Sequence, residues 1–143
     1  MMSNQKKTIA VDANPLVSSL RGGRARMVLL SAEFIFITTE QIIWEVKKYI
    51  PQLATQSGVS ETELLFALDR FPIIAIPSVA YADKREQAEE LIAWRDHKDV
   101  DILALALKFN APLWSNDKDF QNIQELQLLT TADILEQSGL LAE

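Results

Sequence analysis

The residue pattern predicts a single α/β domain on a parallel sheet, and three observations predict it. Short β-branched runs alternate with amphipathic segments of helical length, as expected of strands joined by crossover helices. The length of 143 residues suits one domain, since domains commonly hold about 100–150. Hydrophobic residues make up 48% of the chain, enough for a continuous core and too many for a disordered one. One domain over residues 1–143 is therefore expected, with no internal repeat, linker or low-complexity segment.

Lys7 to Val11 is a short apolar run ending at Asp12 and reads as the first strand. Asn14–Pro15 marks a turn, with Pro15 suited to the first position of a helix carrying Leu16, Val17 and Leu20. Arg21-Gly22-Gly23-Arg24 reads as a glycine-rich loop, and Ala25 to Ser31 as a further helix. Phe34 to Thr38 has strand length, and Thr39 is placed to cap a helix through Ile42, Ile43, Val46 and Ile50. Pro51 is expected to bend or end that helix. Ser60 and Glu63 form a capping-box pattern for a helix ending near Arg70. Ile73 to Ile76 reads as a third strand, followed by a helix from about Tyr81 to Trp94. Ile102 to Phe109 is apolar nearly all round, as in a helix buried against a sheet. Pro112 to Asn116 reads as a fourth strand ending at Asp117, and Gln127 to Thr130 as a fifth. A last helix begins at Thr131 and stops near Gly139.

Composition narrows the function. No cysteine is present, which removes disulfides, thiolate zinc sites and thiol nucleophiles together. The polar start from Met1 to Lys7 lacks the apolar core of a signal peptide. No apolar run reaches the roughly 20 residues that span a bilayer. A soluble, cytoplasmic protein with no membrane attachment is expected. The formal net charge of −6 argues against a generic electrostatic nucleic-acid binder, which normally carries a basic excess. It is compatible with carboxylates concentrated around a divalent cation.

The acids fall at informative places. Ligands of open α/β sheets bind beyond the carboxyl ends of the strands, and Asp12 and Asp117 each follow a predicted strand. Further acids are Glu45, the group Asp96, Asp99 and Asp101 at the mouth of the apolar helix, and Asp119. Each has an ordinary reading: a turn or helix cap for the aspartates, an exposed helix position for Glu45. Jointly they describe an all-oxygen donor set, suited to Mg2+ or Mn2+. Gathered without a cation, such acids would repel one another.

Val11-Asp12-Ala13-Asn14-Pro15-Leu16-Val17 resembles the opening strand motif of PIN-domain nucleases. Arg95-Asp96-His97-Lys98-Asp99 with the following Leu103-Ala104-Leu105-Ala106-Leu107 is similar to their third acidic motif and its helix. Asn110 to Phe120, including Trp114-Ser115-Asn116-Asp117-Lys118-Asp119, resembles the fourth, where a strand runs into an Asn-Asp pair. The resemblance implies a Rossmann-like fold with a mostly parallel sheet of four to five strands, binding Mg2+ or Mn2+ and cleaving RNA. Matched by position, Asp12, Glu45, Asp99 and Asp117 would be the catalytic, metal-binding acids. Asp101 competes with Asp99, because a one-residue shift in the helix start changes which carboxylate faces the metal. Asp96, Asp101, Asp119, Asn116, Ser115 and Asn14 would support the site by capping or by hydrogen bonds to ligand carboxylates and water. The bound ions would activate water for in-line attack on a phosphodiester. Many relatives are VapC-like toxins, usually homodimers restrained by an antitoxin protein.

Other features carry less. His97, the only histidine, reads as an exposed turn residue rather than a general base. Arg21, Arg24 and Arg26 could contact RNA phosphates or simply sit in a solvated loop. Trp114 reads as a packing residue; Trp44, beside Glu45, reads first as packing and otherwise as lining the cleft or an interface, since tryptophan can stack on bases. The alternative to a metal-dependent endoribonuclease is a non-catalytic PIN-fold module that binds RNA or protein. An acceptor-aspartate phosphoryl-transfer domain is disfavoured, since Val11-Asp12-Ala13-Asn14 supplies no second acid after the strand.

Overall fold

The computed structural model describes residues 6–92 and 98–139. Five strands, β1 (Lys7–Val11), β2 (Phe34–Thr39), β3 (Ile73–Ile76), β4 (Leu113–Trp114) and β5 (Leu128–Leu129), form one sheet in the order β3-β2-β1-β4-β5. Every pairing is parallel. The helices are α1 (Ala13–Arg21), α2 (Gly23–Leu29), α3 (Glu40–Ser57), α4 (Glu61–Arg70), α5 (Arg85–Ile92), α6 (Lys98–Lys108) and α7 (Thr131–Ser138).

The strand order reverses direction at β1, and this positions the site. The chain moves outward from β1 to β3, then returns to place β4 on the other side of β1. Right-handed crossovers then put the helices before and after the reversal on opposite faces of the sheet. A crevice opens at the carboxyl ends of β1 and β4, where Asp12 and Asp117 leave the sheet. Backbone bonds tie this edge together: Asp12 N–H donates to Trp114 O (3.0 Å), and Ser115 N–H to Leu129 O (3.1 Å). The Thr38 hydroxyl donates to Val11 O (2.7 Å), joining β2 to the same edge.

Helix α6 packs against β1 and β2, and Ile102 to Ala106 are buried without a break, as the all-apolar segment predicts. Burying a Leu or Ile side chain contributes roughly 1.5–3 kcal/mol, so this helix anchors the layer that carries Asp99. Trp114 is fully buried against Phe36, and its indole N–H donates to Thr131 Oγ1 (3.0 Å).

Several elements differ from expectation. Pro15 is the third residue of α1, because the Asp12 carboxylate itself caps the helix by accepting from Ala13 N–H (2.8 Å). The Gly22–Gly23 stretch is a one-residue break: Gly22, at φ 104°, ends α1, and Gly23 already begins α2. A side chain at Gly22 would force an L-residue into that strained left-handed region. Pro51 neither ends nor replaces a turn of α3, which runs on to Ser57. Ile50 and Leu53 are both buried, so packing holds the two halves together, while Pro51 is exposed. In place of one helix from Tyr81, two short 3-10 turns (Ser78–Ala80 and Ala82–Lys84) precede α5. Tyr81 is drawn into the core, where its hydroxyl meets Asp101, and this interrupts the helix. Strands β4 and β5 are each two residues long, shorter than the apolar runs that contain them.

Candidate metal centre and groove

Asp12 reaches the crevice because β1 ends there and its side chain turns back onto the first N–H of α1. Its other oxygen, Oδ2, accepts from the Ser115 hydroxyl (2.7 Å). Ser115 is buried, and its oxygen also accepts from Asp117 N–H (3.0 Å). One hydroxyl therefore links the acid after β1 to the backbone of the acid after β4. Asp117 in turn caps the short turn Lys118–Phe120 by accepting from Asp119 N–H (2.9 Å). Burial pushes the Asp12 carboxyl above its ordinary pKa, and the negative charge of Asp117 adds to this. The hydrogen bonds from Ser115 and Ala13 oppose it.

Three carboxylates converge here, Asp117 among them. Oxygens of Asp99, Asp117 and Asp119 all lie within 4.8 Å of one another. Asp99 is buried and enters from the first turn of α6, whereas Asp117 and Asp119 come from the β4 exit turn. The donors are all hard anionic oxygens, the set that Mg2+ and Mn2+ prefer, so the residues present fit such an ion.

Asp101 does not join the cluster. Its Oδ2 accepts from the Tyr81 hydroxyl (2.9 Å), and its Oδ1 pairs with Arg85 Nη1. Two residues apart on one helix, Asp99 and Asp101 diverge by roughly 200°, which explains why only one can face the crevice. Asp96 and His97 lie outside the described residues.

A groove of about 460 Å³ adjoins the crevice, lined by Asn14, Val17 and Arg21 of α1, Glu45 and Tyr49 of α3, and Asn116. Glu45 thus stands in its wall, half-buried, and is not among the three converging acids. Arg21 lines the groove and donates to Tyr49 Oη (3.3 Å) and Gln56 Oε1 (3.0 Å). Arg26 is engaged by backbone carbonyls: its guanidinium donates to Ser19 O (2.9 Å) and Leu20 O (3.0 Å) and closes the end of α1. Arg24 is exposed on α2. Sequence reading gave Asp119 a supporting role and did not single out Tyr49. The Asp117-x-Asp119 spacing and the i, i+4 relation of Glu45 to Tyr49 were the available signals.

A doubly wound parallel sheet whose switch point is lined with carboxylates is the architecture of a PIN domain. The PIN-domain family profile matches residues 10–136, and the chain belongs to that family. Solved structures share the fold. A chain of a toxin–antitoxin complex from Klebsiella pneumoniae is 19% identical, over 82% of this chain and 94% of that one, at a TM-score of 0.62. A chain of VapBC2 from Rickettsia felis, bound to a DNA fragment from its promoter, is 16% identical over 86% and 98%, at 0.63. A chain of VapBC-1 from nontypeable Haemophilus influenzae is 17% identical over 87% and 98%, at 0.62. No curated protein matches the sequence. Among the described residues, no helix is long and apolar enough to cross a membrane.

Proposed function

We propose that the chain is a divalent-metal-dependent endoribonuclease, the toxin of a toxin–antitoxin pair, acting in the cytoplasm as a homodimer. The observation that carries the catalytic part is the convergence of Asp99, Asp117 and Asp119 within 4.8 Å at the switch point of the sheet. Those three acids would hold Mg2+ or Mn2+, with Asp12 joined to Asp117 through Ser115 and Glu45 in the wall of the adjoining groove. A cation bound there supplies Lewis-acid stabilisation of charge developing on a phosphodiester. The protein's own groups do the rest. Ser115 orients Asp12 and the Asp117 backbone, Asp117 and Asp119 are locked in one turn, and Asn14 and Asn116 offer amides at the groove floor. Arg21 and the polar groove wall would receive the RNA strand.

The test is cleavage of a mixed set of fluorescent RNAs with Mg2+ or Mn2+, with Asp12→Asn and Asp117→Asn as controls. Metal-dependent cutting lost in both variants is the expected result. Binding of RNA or of a protein partner without cutting would put the non-catalytic module first. The toxin assignment rests on the toxin–antitoxin complexes that share the fold. It is tested by growth arrest on induction and its relief by a small protein encoded alongside. Light scattering of the purified protein tests the homodimer.

A further inference from the structure

Trp44 is 59% exposed, the reverse of the packing role its sequence context suggests. A tryptophan left on the surface forgoes much of the roughly 150–250 Å² it would bury in a core. This one is not isolated. The Lys48 ammonium, one turn along α3, sits 4.3 Å from the centre of its ring and covers one face. With more than half of the side chain in contact with solvent, the ring retains open aromatic surface.

Its position on α3 adds direction. At about 100° per residue, Trp44, Lys48, Gln52, Glu45 and Tyr49 occupy successive azimuths of the helix and make one continuous strip. Glu45 and Tyr49 line the groove that adjoins the carboxylates. The same two residues, with Lys48 and Gln52, line a second shallow depression of about 280 Å³. The groove therefore continues from Arg21 and Tyr49, past Glu45, to Lys48 and its tryptophan. Along that path, two cations (Arg21 and Lys48) and two aromatic rings (Tyr49 and Trp44) outnumber the one carboxylate, Glu45, in a protein whose net charge is −6. Sequence-tolerant single-strand binding sites combine these two components: aromatic faces for bases and cations for the backbone.

Resting on the nuclease reading for its substrate, we infer that Trp44 and Lys48 form a nucleobase subsite for single-stranded RNA, at the outer end of the groove that leads to the carboxylates. The open face of Trp44 stacks a base of the strand, and Lys48 neutralises an adjacent phosphate. Charge complementarity and continuity with the groove favour an RNA strand over a protein as the occupant.

The test measures binding of a fluorescein-labelled single-stranded 12-mer RNA of mixed sequence to the full chain by anisotropy. It is run without divalent metal, so that nothing is cut. Trp44→Ala and Trp44→Leu are expected to weaken binding about 5- to 100-fold, the range for losing one base–aromatic stack, while Trp44→Phe keeps most of it. Lys48→Ala is expected to lower the salt slope by about 0.7, one phosphate on a single strand. Circular dichroism and thermal unfolding check that each variant folds, and Mn2+ affinity, which the subsite does not touch, should stay unchanged. Equal binding by wild type, Trp44→Ala and Trp44→Leu overturns the subsite. So does a Trp44→Ala chain that binds RNA normally but shifts from dimer to monomer, since the ring would then belong to a protein interface. Trp44-dependent binding in a protein that never cuts RNA would sink the nuclease reading and keep the subsite. A wild type that binds no single-stranded RNA overturns the subsite, and the nuclease reading is then decided by the metal-dependent cleavage assay alone.

Discussion

Replacing Ser115 by alanine removes a hydroxyl that is engaged on both sides. The side chain is buried, donates to Asp12 Oδ2 at 2.7 Å and accepts from Asp117 N–H at 3.0 Å. A hydrogen bond to a charged group contributes about 1.5–3 kcal/mol, and stranding the neutral N–H adds roughly 1 kcal/mol, so the loss should be about 3 kcal/mol. For a chain near this size each kcal/mol moves Tm by about 2–4 °C, giving a drop of about 6–12 °C. Alanine leaves only a hydroxyl-sized gap, so packing contributes little to that figure. The second consequence separates this bridge from an ordinary buried serine. Asp12 and Asp117 lose their common orienting group, and losses of this kind cost about 10- to 100-fold in metal affinity. Thermal unfolding without metal and calorimetric titration with Mn2+ read the two effects independently. A Ser115→Ala protein with both Tm and Mn2+ affinity of wild type would refute the bridge as an organiser of the site. A fall in Tm alone would leave it a structural hydrogen bond only.

Further outcomes follow from the same geometry. Asp12→Asn should raise the Tm of the metal-free protein near neutral pH and abolish the increase that Mn2+ gives the wild type. The sign follows from the upward pKa shift, caused first by burial and then by Asp117: ionised Asp12 opposes folding above its folded pKa, and the penalty fades as pH falls through that value. An unchanged or lower metal-free Tm at neutral pH would contradict it. Asp99→Asn and Asp101→Asn should behave oppositely, although the residues are two apart. The first weakens Mn2+ binding with little loss of stability, and the second loses about 1–3 kcal/mol by weakening a half-buried partner of Tyr81 and Arg85, with metal affinity nearly intact. A reversed pattern in denaturation and titration would reassign the third ligand. Arg26→Ala should cost about 1–2 kcal/mol, since its guanidinium closes the end of α1, and leave RNA affinity unchanged. Arg21→Ala should weaken RNA binding instead, and equal RNA affinities for the two variants would count against the groove as the strand's path.

Much of this architecture was legible along the chain because it depends on local regularity. Strand and helix periods, the caps at Thr39 and Ser60, and the all-apolar run of α6 are properties of neighbouring residues. They order the elements, and the PIN-like motifs mark Asp12, Asp99 and Asp117 as the acids to watch. Chain-local rules misread the places where tertiary packing outweighs propensity. Pro51 stays inside α3 because buried residues on both sides hold the helix, and the helix expected from Tyr81 breaks because its ring is needed in the core. Tertiary structure alone decides which of Asp99 and Asp101 joins the carboxylate cluster, since that depends on Tyr81 and Arg85 arriving from another segment. It alone joins Ser115 to Asp12 across 103 residues, occupies Arg26 with backbone carbonyls, and leaves Trp44 outside. Sequence spacing determines which residues share a face. Which face meets water, a carboxylate or the core depends on what distant parts of the chain bring to it.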